Sequence, residues 1–88
     1  GIVENMGPYT DPKTGQTIAF FGEGGGRRMA GRLNVPFLGT IPLDPNIREG
    51  GDVGRPVVVQ HPNSPAAQMF KKIAKDVAAR ISVLNLTE

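Results

Sequence analysis

The first 20 residues alternate short apolar runs with turns. Residues 1–5 predict a strand that ends before Pro8, because proline offers no backbone donor. Residues 11–15 begin with aspartate and proline and end with glycine, an order typical of a turn that finishes in the left-handed conformation. The pattern therefore predicts a small hairpin of residues 9–10 with residues 16–20.

Residues 22–34 predict a glycine-rich turn followed by a helix. Met29, Ala30 and Leu33 share one face at helical spacing, so we expect a helix at residues 25–33. Asn34 follows directly, and asparagine readily takes the left-handed conformation that ends helices.

Residues 35–43 are apolar almost without interruption. Such runs are typical of strands buried on both faces of a parallel sheet, and we expect this strand at residues 36–41. Asp44 and Pro45 then predict the start of a short helix at residues 45–49, which Gly50 and Gly51 should end. After that helix, residues 57–59 predict a brief extended segment.

The most regular pattern lies near the end of the chain. Ser64 is typical of a helix N-cap and Pro65 of the first helical position, and apolar residues follow at helical spacing. This predicts an amphipathic helix at residues 65–83, with Asp76 and Arg80 one turn apart on its polar face.

Together these elements predict an α/β fold in a single domain over residues 1–88, with a mostly parallel sheet and a small hairpin. A strand buried on both faces needs neighbouring strands and covering helices, and only two substantial helices are predicted. We therefore expect the chain to be one part of a larger domain, completed by further sequence or by a partner chain.

The composition excludes several classes of site and partner. The 88 residues contain 12 glycines, 8 prolines, ten lysines or arginines against eight acidic residues, and no cysteine. Without cysteine there is no disulfide and no sulfur ligand for zinc or for an iron–sulfur cluster. The small positive charge does not favour nucleic acid binding, and no apolar run approaches the ~20 residues of a membrane span. We expect a soluble, cytoplasmic protein that binds neither nucleic acid nor membrane.

The glycine cluster at residues 22–26 leaves two interpretations open. It precedes a predicted helix whose first N–H groups could hold a phosphate, but neither the dinucleotide fingerprint nor a P-loop is present. A turn with close helix packing is the alternative. Elsewhere His61 has no second metal ligand, Ser64 is explained by capping, and capping or solvated loop positions explain the acidic residues at 44, 49 and 52. The residues alone indicate no catalytic centre.

Several segments, in collinear order, resemble one known family. They are GIVENM at residues 1–6, FGEGGG at 21–26, VPFLGTIPLDP at 35–45, IREGGDVGRP at 47–56 and SPA at 64–66. These segments look like the C-terminal third of the Mrp/ApbC family, P-loop ATPases related to MinD that act as iron–sulfur cluster carriers. The resemblance covers essentially the whole chain and implies the C-terminal portion of a Rossmann-like P-loop NTPase fold.

The resemblance implies a nucleotide site shared with sequence that these residues do not contain. In the family a P-loop holds the ATP phosphates and magnesium, and no segment here matches it, so this chain alone should not hydrolyse ATP. The positions that match the adenine side are Asn5 and Pro42, Leu43 and Asp44. An asparagine amide offers both a donor and an acceptor to an adenine edge, although a turn-forming role beside Gly7 is the alternative for Asn5. The implied partners are ATP or ADP, a second subunit in a homodimer, and iron–sulfur apoproteins.

The family's second feature is a Cys-Pro-x-Cys knuckle that binds a [4Fe–4S] cluster between two subunits. The matching place here is occupied by Asp11, Pro12, Lys13 and Thr14, so both thiolates are replaced. Soft thiolates are what such clusters select, and we therefore expect no cluster at this place. The leading interpretation is the C-terminal segment of an ATP-binding iron–sulfur cluster carrier or assembly protein. The alternative is a non-catalytic interaction module that keeps this part of the fold but binds neither nucleotide nor cluster.

Overall fold

The protein is described by a computed structural model, which covers the backbone of residues 1–87 and the side chains of residues 1–84. The described residues form four strands and four helices. They are β1 (Ile2–Gly7), β2 (Tyr9–Thr10), β3 (Thr17–Ile18), α1 (Gly25–Leu33), β4 (Phe37–Pro42), α2 (Pro45–Val53), α3 (Val57–Gln60) and α4 (Pro65–Thr87).

The main sheet consists of β1 and β4, which lie parallel to each other. Val3 is paired with Gly39 and Gly7 with Pro42, with irregular register between Glu4 and Gly7. Helix α1 packs against both strands and α4 packs against β4. The predicted α/β class and the parallel pairing are thus confirmed for the described residues.

The predicted hairpin is confirmed as the antiparallel pair of β2 and β3, in which Tyr9 faces Ile18 and Thr10 faces Thr17. Its loop closes through two backbone hydrogen bonds, from Asp11 N–H to the Gln16 carbonyl and from Gly15 N–H to the Asp11 carbonyl, both 2.8 Å. Gly15 has φ of 73°, the left-handed conformation that the turn requires.

Two of the predicted helices are confirmed. Helix α1 has the predicted bounds and is followed by Asn34 in the left-handed conformation, with φ of 54°. Helix α4 begins at the predicted Pro65, where Ala67 N–H donates to the Ser64 hydroxyl at 3.2 Å. It continues four residues beyond the predicted end. The guanidinium of Arg80 donates to Asp76 at 3.1 Å, as the spacing predicted.

Two predictions after β4 are wrong. Gly50 and Gly51 do not end α2, which continues to Val53 and ends at Gly54 with φ of 74°. Gly50 is instead a packing position, because a Cβ there would collide with the backbone carbonyl of Arg55. Residues 57–59 are not extended but belong to α3, whose first turn is closed by the Pro56 carbonyl, which accepts from Val59 N–H at 2.9 Å and Gln60 N–H at 3.0 Å.

The core is small. Among the described residues the buried apolar side chains are Ala30, Ile41, Val57, Ala66 and Ala67. The other positions of β4 are half-buried rather than buried on both faces as predicted, because β1 is the one strand that pairs with β4 in the described part of the chain. An apolar groove of about 640 Å³ remains open beside the amino ends of the strands, between Leu38 and the later turns of α4.

Candidate functional site

The candidate site lies where β1 and β4 end. Parallel strands bring their carboxyl ends to the same edge, and here Leu43 N–H donates to the Gly7 carbonyl at 3.2 Å. A cavity of about 480 Å³ opens beside this contact. We call it the carboxyl-end cavity; its walls are Tyr9, Thr10 and Pro12 of the hairpin, residues 42–46, and residues 64–66 at the start of α4.

Three of the four predicted site residues line this cavity: Pro42, Leu43 and Asp44. The half-buried side chain of Asp44 caps α2, since its Oδ1 accepts from Asn46 N–H at 2.9 Å. Pro45 occupies the first helical position, where its missing N–H costs nothing. This local sequence fixes the direction in which the chain leaves β4 and so builds one wall of the cavity.

The fourth predicted residue, Asn5, does not line the carboxyl-end cavity. Its side chain is exposed, and its Oδ1 accepts from the N–H of Met6 at 2.9 Å. Met6 itself has φ of 55°, a left-handed conformation that non-glycine residues rarely adopt. In this structure the Asn5 side chain therefore contacts the backbone of its own strand. Sequence reasoning missed the unusual backbone at Met6, and the sequence carries no signal for it.

The glycine cluster meets a carboxylate. Gly26 N–H, in the first turn of α1, donates to Glu4 Oε1 at 2.9 Å, and the Thr40 hydroxyl donates to Oε2 at 3.5 Å. The Gly26 amide lowers the pKa of Glu4 from its ordinary value of 4.5; desolvation opposes this, and the amides of Gly24 and Gly25 and the Thr40 hydroxyl add to the lowering. This arrangement favours the packing interpretation of the cluster over the phosphate one. Sequence reasoning also missed Glu4.

The hairpin loop is the segment that the resemblance matches to a cysteine knuckle. Asp11 Oδ1 accepts from Lys13 N–H at 2.9 Å, and Thr14 Oγ1 accepts from Gln16 N–H at 3.2 Å. Both side chains thus stabilise the turn, and neither supplies a thiolate. The residues at this place do not fit a [4Fe–4S] cluster.

A metal-binding cluster and a membrane-spanning helix are both absent from the described residues. No three histidine, cysteine or acidic side chains lie close enough together to hold a metal ion. Over the same residues, none of the helices combines the length and the apolar character needed to cross a membrane.

Comparison with known proteins gives consistent matches. The ParA family model, described as NUBPL iron-transfer P-loop NTPase, matches residues 1–78. Similar curated proteins include the iron–sulfur cluster carrier proteins of Deinococcus radiodurans, 43% identical over 88 residues, and Saccharolobus solfataricus, 44% identical over 77 residues. The iron–sulfur cluster transfer protein NUBPL of Dictyostelium discoideum is 34% identical over 88 residues.

These matches cover 100%, 88% and 100% of this chain but 25%, 26% and 27% of the three relatives, in the same order. The chain therefore spans about a quarter of the length of the curated relatives that it matches. The family model, in contrast, matches all but the last ten residues of this chain. The chain belongs to the family of the NUBPL iron-transfer P-loop NTPases.

Proposed function

We propose that this chain supplies the adenine side of the nucleotide site of an iron–sulfur cluster carrier, and that the carboxyl-end cavity receives the base. The observation that carries the proposal is the position of this cavity. Ligands of open α/β sheets bind outside the carboxyl ends of the strands, which is where β1 and β4 border it. Its volume of about 480 Å³ lies within the range of small-molecule sites.

The cavity walls suit a flat heterocycle. Tyr9, Pro42 and Pro65 contribute ring surfaces, and polar groups stand beside them at Thr10 and Asn46. Asn5 lies at the same edge of the sheet, and its exposed side chain accepts from Met6 N–H. We propose that this hydrogen bond breaks when nucleotide binds, and that the Asn5 amide then hydrogen-bonds to the adenine edge. An amide can donate and accept at once, which matches the pattern of that edge.

The phosphate side must come from elsewhere in a full-length carrier. The sequence contains no P-loop, and the first turn of α1 already binds Glu4. Two or three neutral hydrogen bonds of ~0.5 to 1.5 kcal/mol each barely offset an association cost of ~4 kcal/mol or more. The 88 residues alone should therefore bind ATP only in the millimolar range, without dependence on magnesium, and should not hydrolyse it.

A second candidate function is a non-catalytic interaction module. The hairpin loop favours it, because Asp11 and Thr14 stand where the family has cluster ligands and both are engaged in the turn.

Phe20 and Phe21, 58% and 66% exposed, are the apolar residues that we propose for contact with a second subunit. A cytoplasmic location and iron–sulfur apoproteins as targets stay predictions.

The proposal is tested with a pair of substitutions on one rung of the hairpin. Thr10 and Thr17 face each other and their hydroxyls are 3.0 Å apart, but only Thr10 lines the carboxyl-end cavity. In the full-length protein Thr10→Phe should fill the cavity mouth and weaken ATP and adenosine by about tenfold or more, while the control Thr17→Phe should change them little.

Titration calorimetry with ATP, adenosine and inorganic tripolyphosphate separates the two sides of the site. Thr10→Phe should leave tripolyphosphate binding unchanged, since the phosphates bind elsewhere. Equal effects of Thr10→Phe and Thr17→Phe on adenosine would contradict the proposal. Unaltered ATP binding in both variants would also contradict it, whereas absence of ATP binding in the wild-type protein would favour the interaction module.

A further inference from the structure

Helix α1 has no N-terminal cap of its own. Its N-cap is Gly24, which has φ of 80° and no side chain to accept a hydrogen bond, and its first turn contains no acidic residue. The first N–H groups of a helix need acceptors from outside the helix, and they carry partial positive charge. Here the acceptor comes from another element: Glu4 of β1, which is 22 residues away in sequence, accepts from Gly26 N–H at 2.9 Å.

The backbone is shaped for this contact. A Cβ on Gly26 would lie 2.9 Å from the Cβ of Glu4 and 3.1 Å from the ring of Phe37. Only glycine therefore lets the first turn of α1 approach β1 and β4 so closely. Thr40 of β4 also donates to the carboxylate, at 3.5 Å. The carboxylate of Glu4 thus joins three elements: β1, β4 and α1.

The charged side chains around this contact do not pair with the Glu4 carboxylate. The charged residues of the loop before α1 and of its first turn are Glu23, Arg27 and Arg28. Arg28 donates to the Glu23 carbonyl at 3.4 Å, and the Arg27 guanidinium lies 4.6 Å from the centre of the Phe37 ring. In the described part of the chain, no lysine or arginine forms an ion pair with Glu4. The carboxylate is therefore matched by peptide N–H groups.

We propose that Glu4 is a positioning residue whose carboxylate fills the anion site at the start of α1 and thereby fixes the loop at residues 19–24. That loop connects β3 to α1 and exposes Phe20 and Phe21. Two consequences follow. The glycine cluster is closed to phosphate, and the two aromatic side chains are held at a defined place beside the sheet. Neither consequence depends on whether the carboxyl-end cavity takes adenine.

The first test follows the glycine amides by NMR in the full-length protein as the pH is lowered. In the wild type the amide signals of Gly24, Gly25 and Gly26 should titrate together, with a midpoint below that of an ordinary glutamate. Glu4→Gln keeps the shape but removes the charge, and it should abolish this titration. The matched control Glu49→Gln changes an exposed glutamate of α2 and should leave it intact.

The second test measures the loop itself. Chymotrypsin cleaves after phenylalanine, so the rate of cleavage at Phe20 and Phe21 reports how often the loop opens. Glu4→Gln should be cleaved about fivefold faster or more, and Glu49→Gln at the wild-type rate. Glu4→Asp keeps the charge on a shorter side chain, so its cleavage rate should lie between those of the wild type and Glu4→Gln. Gly26→Ala, which keeps the carboxylate but pushes α1 away, should also be cleaved faster.

Three results would overturn the proposal. The first is a titration of the glycine amides that persists in Glu4→Gln. The second is an unchanged cleavage rate in Glu4→Gln, Glu4→Asp and Gly26→Ala alike. The third is a saturable shift of the wild-type glycine amides on addition of inorganic phosphate, which would show that the site accepts an external anion. This last experiment and the wild-type titration need no variant, so they decide the matter even if Glu4→Gln does not fold.

Discussion

Two adjacent glycines of α2 should respond in opposite directions to the same substitution. Gly50 is buried, and a Cβ there would collide with the backbone carbonyl of Arg55. Gly51 is exposed, and a Cβ there would meet nothing within 4 Å. Both residues lie within the helix, so Gly50→Ala and Gly51→Ala share the same gain in helix propensity and differ only in packing.

The shared gain is about 1 kcal/mol, the difference between alanine and glycine in a helix interior. For Gly51→Ala this gain stands alone, and we expect stabilisation of ~0.5 to 1 kcal/mol. For Gly50→Ala the clash is with backbone rather than with a flexible side chain, which places its cost near the upper end of the ~1 to 3 kcal/mol of overpacking. After the gain is subtracted, Gly50→Ala should destabilise by about 2 kcal/mol.

Urea unfolding of the two variants and the wild type, followed by circular dichroism, measures the difference directly. The midpoint should rise for Gly51→Ala and fall for Gly50→Ala, with similar slopes. If Gly50→Ala were as stable as Gly51→Ala, the close approach of Arg55 would be refuted. If Gly51→Ala brought no stabilisation, the helix would end at these glycines after all.

Three further predictions concern capping, cluster chemistry and pH. Ser64→Ala should destabilise the protein by ~1 kcal/mol in thermal unfolding through loss of the α4 cap, whereas the exposed Ser82→Ala should have little effect. Reconstitution with iron and sulfide should leave the 88-residue chain colourless; a visible absorbance band lost in Asp11→Ala would contradict this. Because folding lowers the pKa of Glu4 from 4.5, its ionised form adds stability above that pH, which is lost as the pH falls through the lowered value. Glu4→Gln should weaken this acid dependence in urea titrations at several pH values, and an unchanged dependence would argue against it.

The parts of the fold that the sequence predicted are those fixed by local signals. Helix α1 lies between a glycine and Asn34, and both of these residues take left-handed conformations that few other residues adopt. The hairpin depends on the Asp11 to Gly15 turn, and the start of α4 on Ser64 and Pro65. Each of these signals acts within five residues, so the sequence alone is enough.

The wrong predictions concern residues whose state is set by packing against other parts of the chain rather than by local propensity. Gly50 resembles a helix stop, but its role depends on the return of the chain at Arg55. Val57 has the β-branched side chain typical of strands, yet burial against its neighbours and the preceding Pro56 place it in a helix. Propensity measures local preference, and tertiary packing overrode it at both positions.

The candidate site was predictable only in part for the same reason. Parallel pairing of β1 with β4 brings Pro42, Leu43 and Asp44 to the carboxyl edge, and the apolar run before them predicted that strand. Asn5 lies outside the cavity, next to Met6 in its left-handed conformation, which no turn motif marks. Glu4 reads as an ordinary polar position of a strand until the first turn of α1, which lacks both a cap and an acid, is placed beside it.

The parallel sheet also has a consequence for the chain during its synthesis. Gly7 pairs with Pro42, which lies 35 residues later in the sequence. At ribosomal rates, synthesis of these residues takes roughly 2 to 7 seconds. Throughout that interval the apolar Ile2 and Val3 have no β4 to pair with, and a strand edge of this kind readily captures other unfinished chains. The charge at Glu4, directly after these residues, makes such pairing unfavourable. We therefore expect Glu4 to have two roles in succession. It protects the nascent chain from aggregation during synthesis, and it binds the first turn of α1 once that helix has formed.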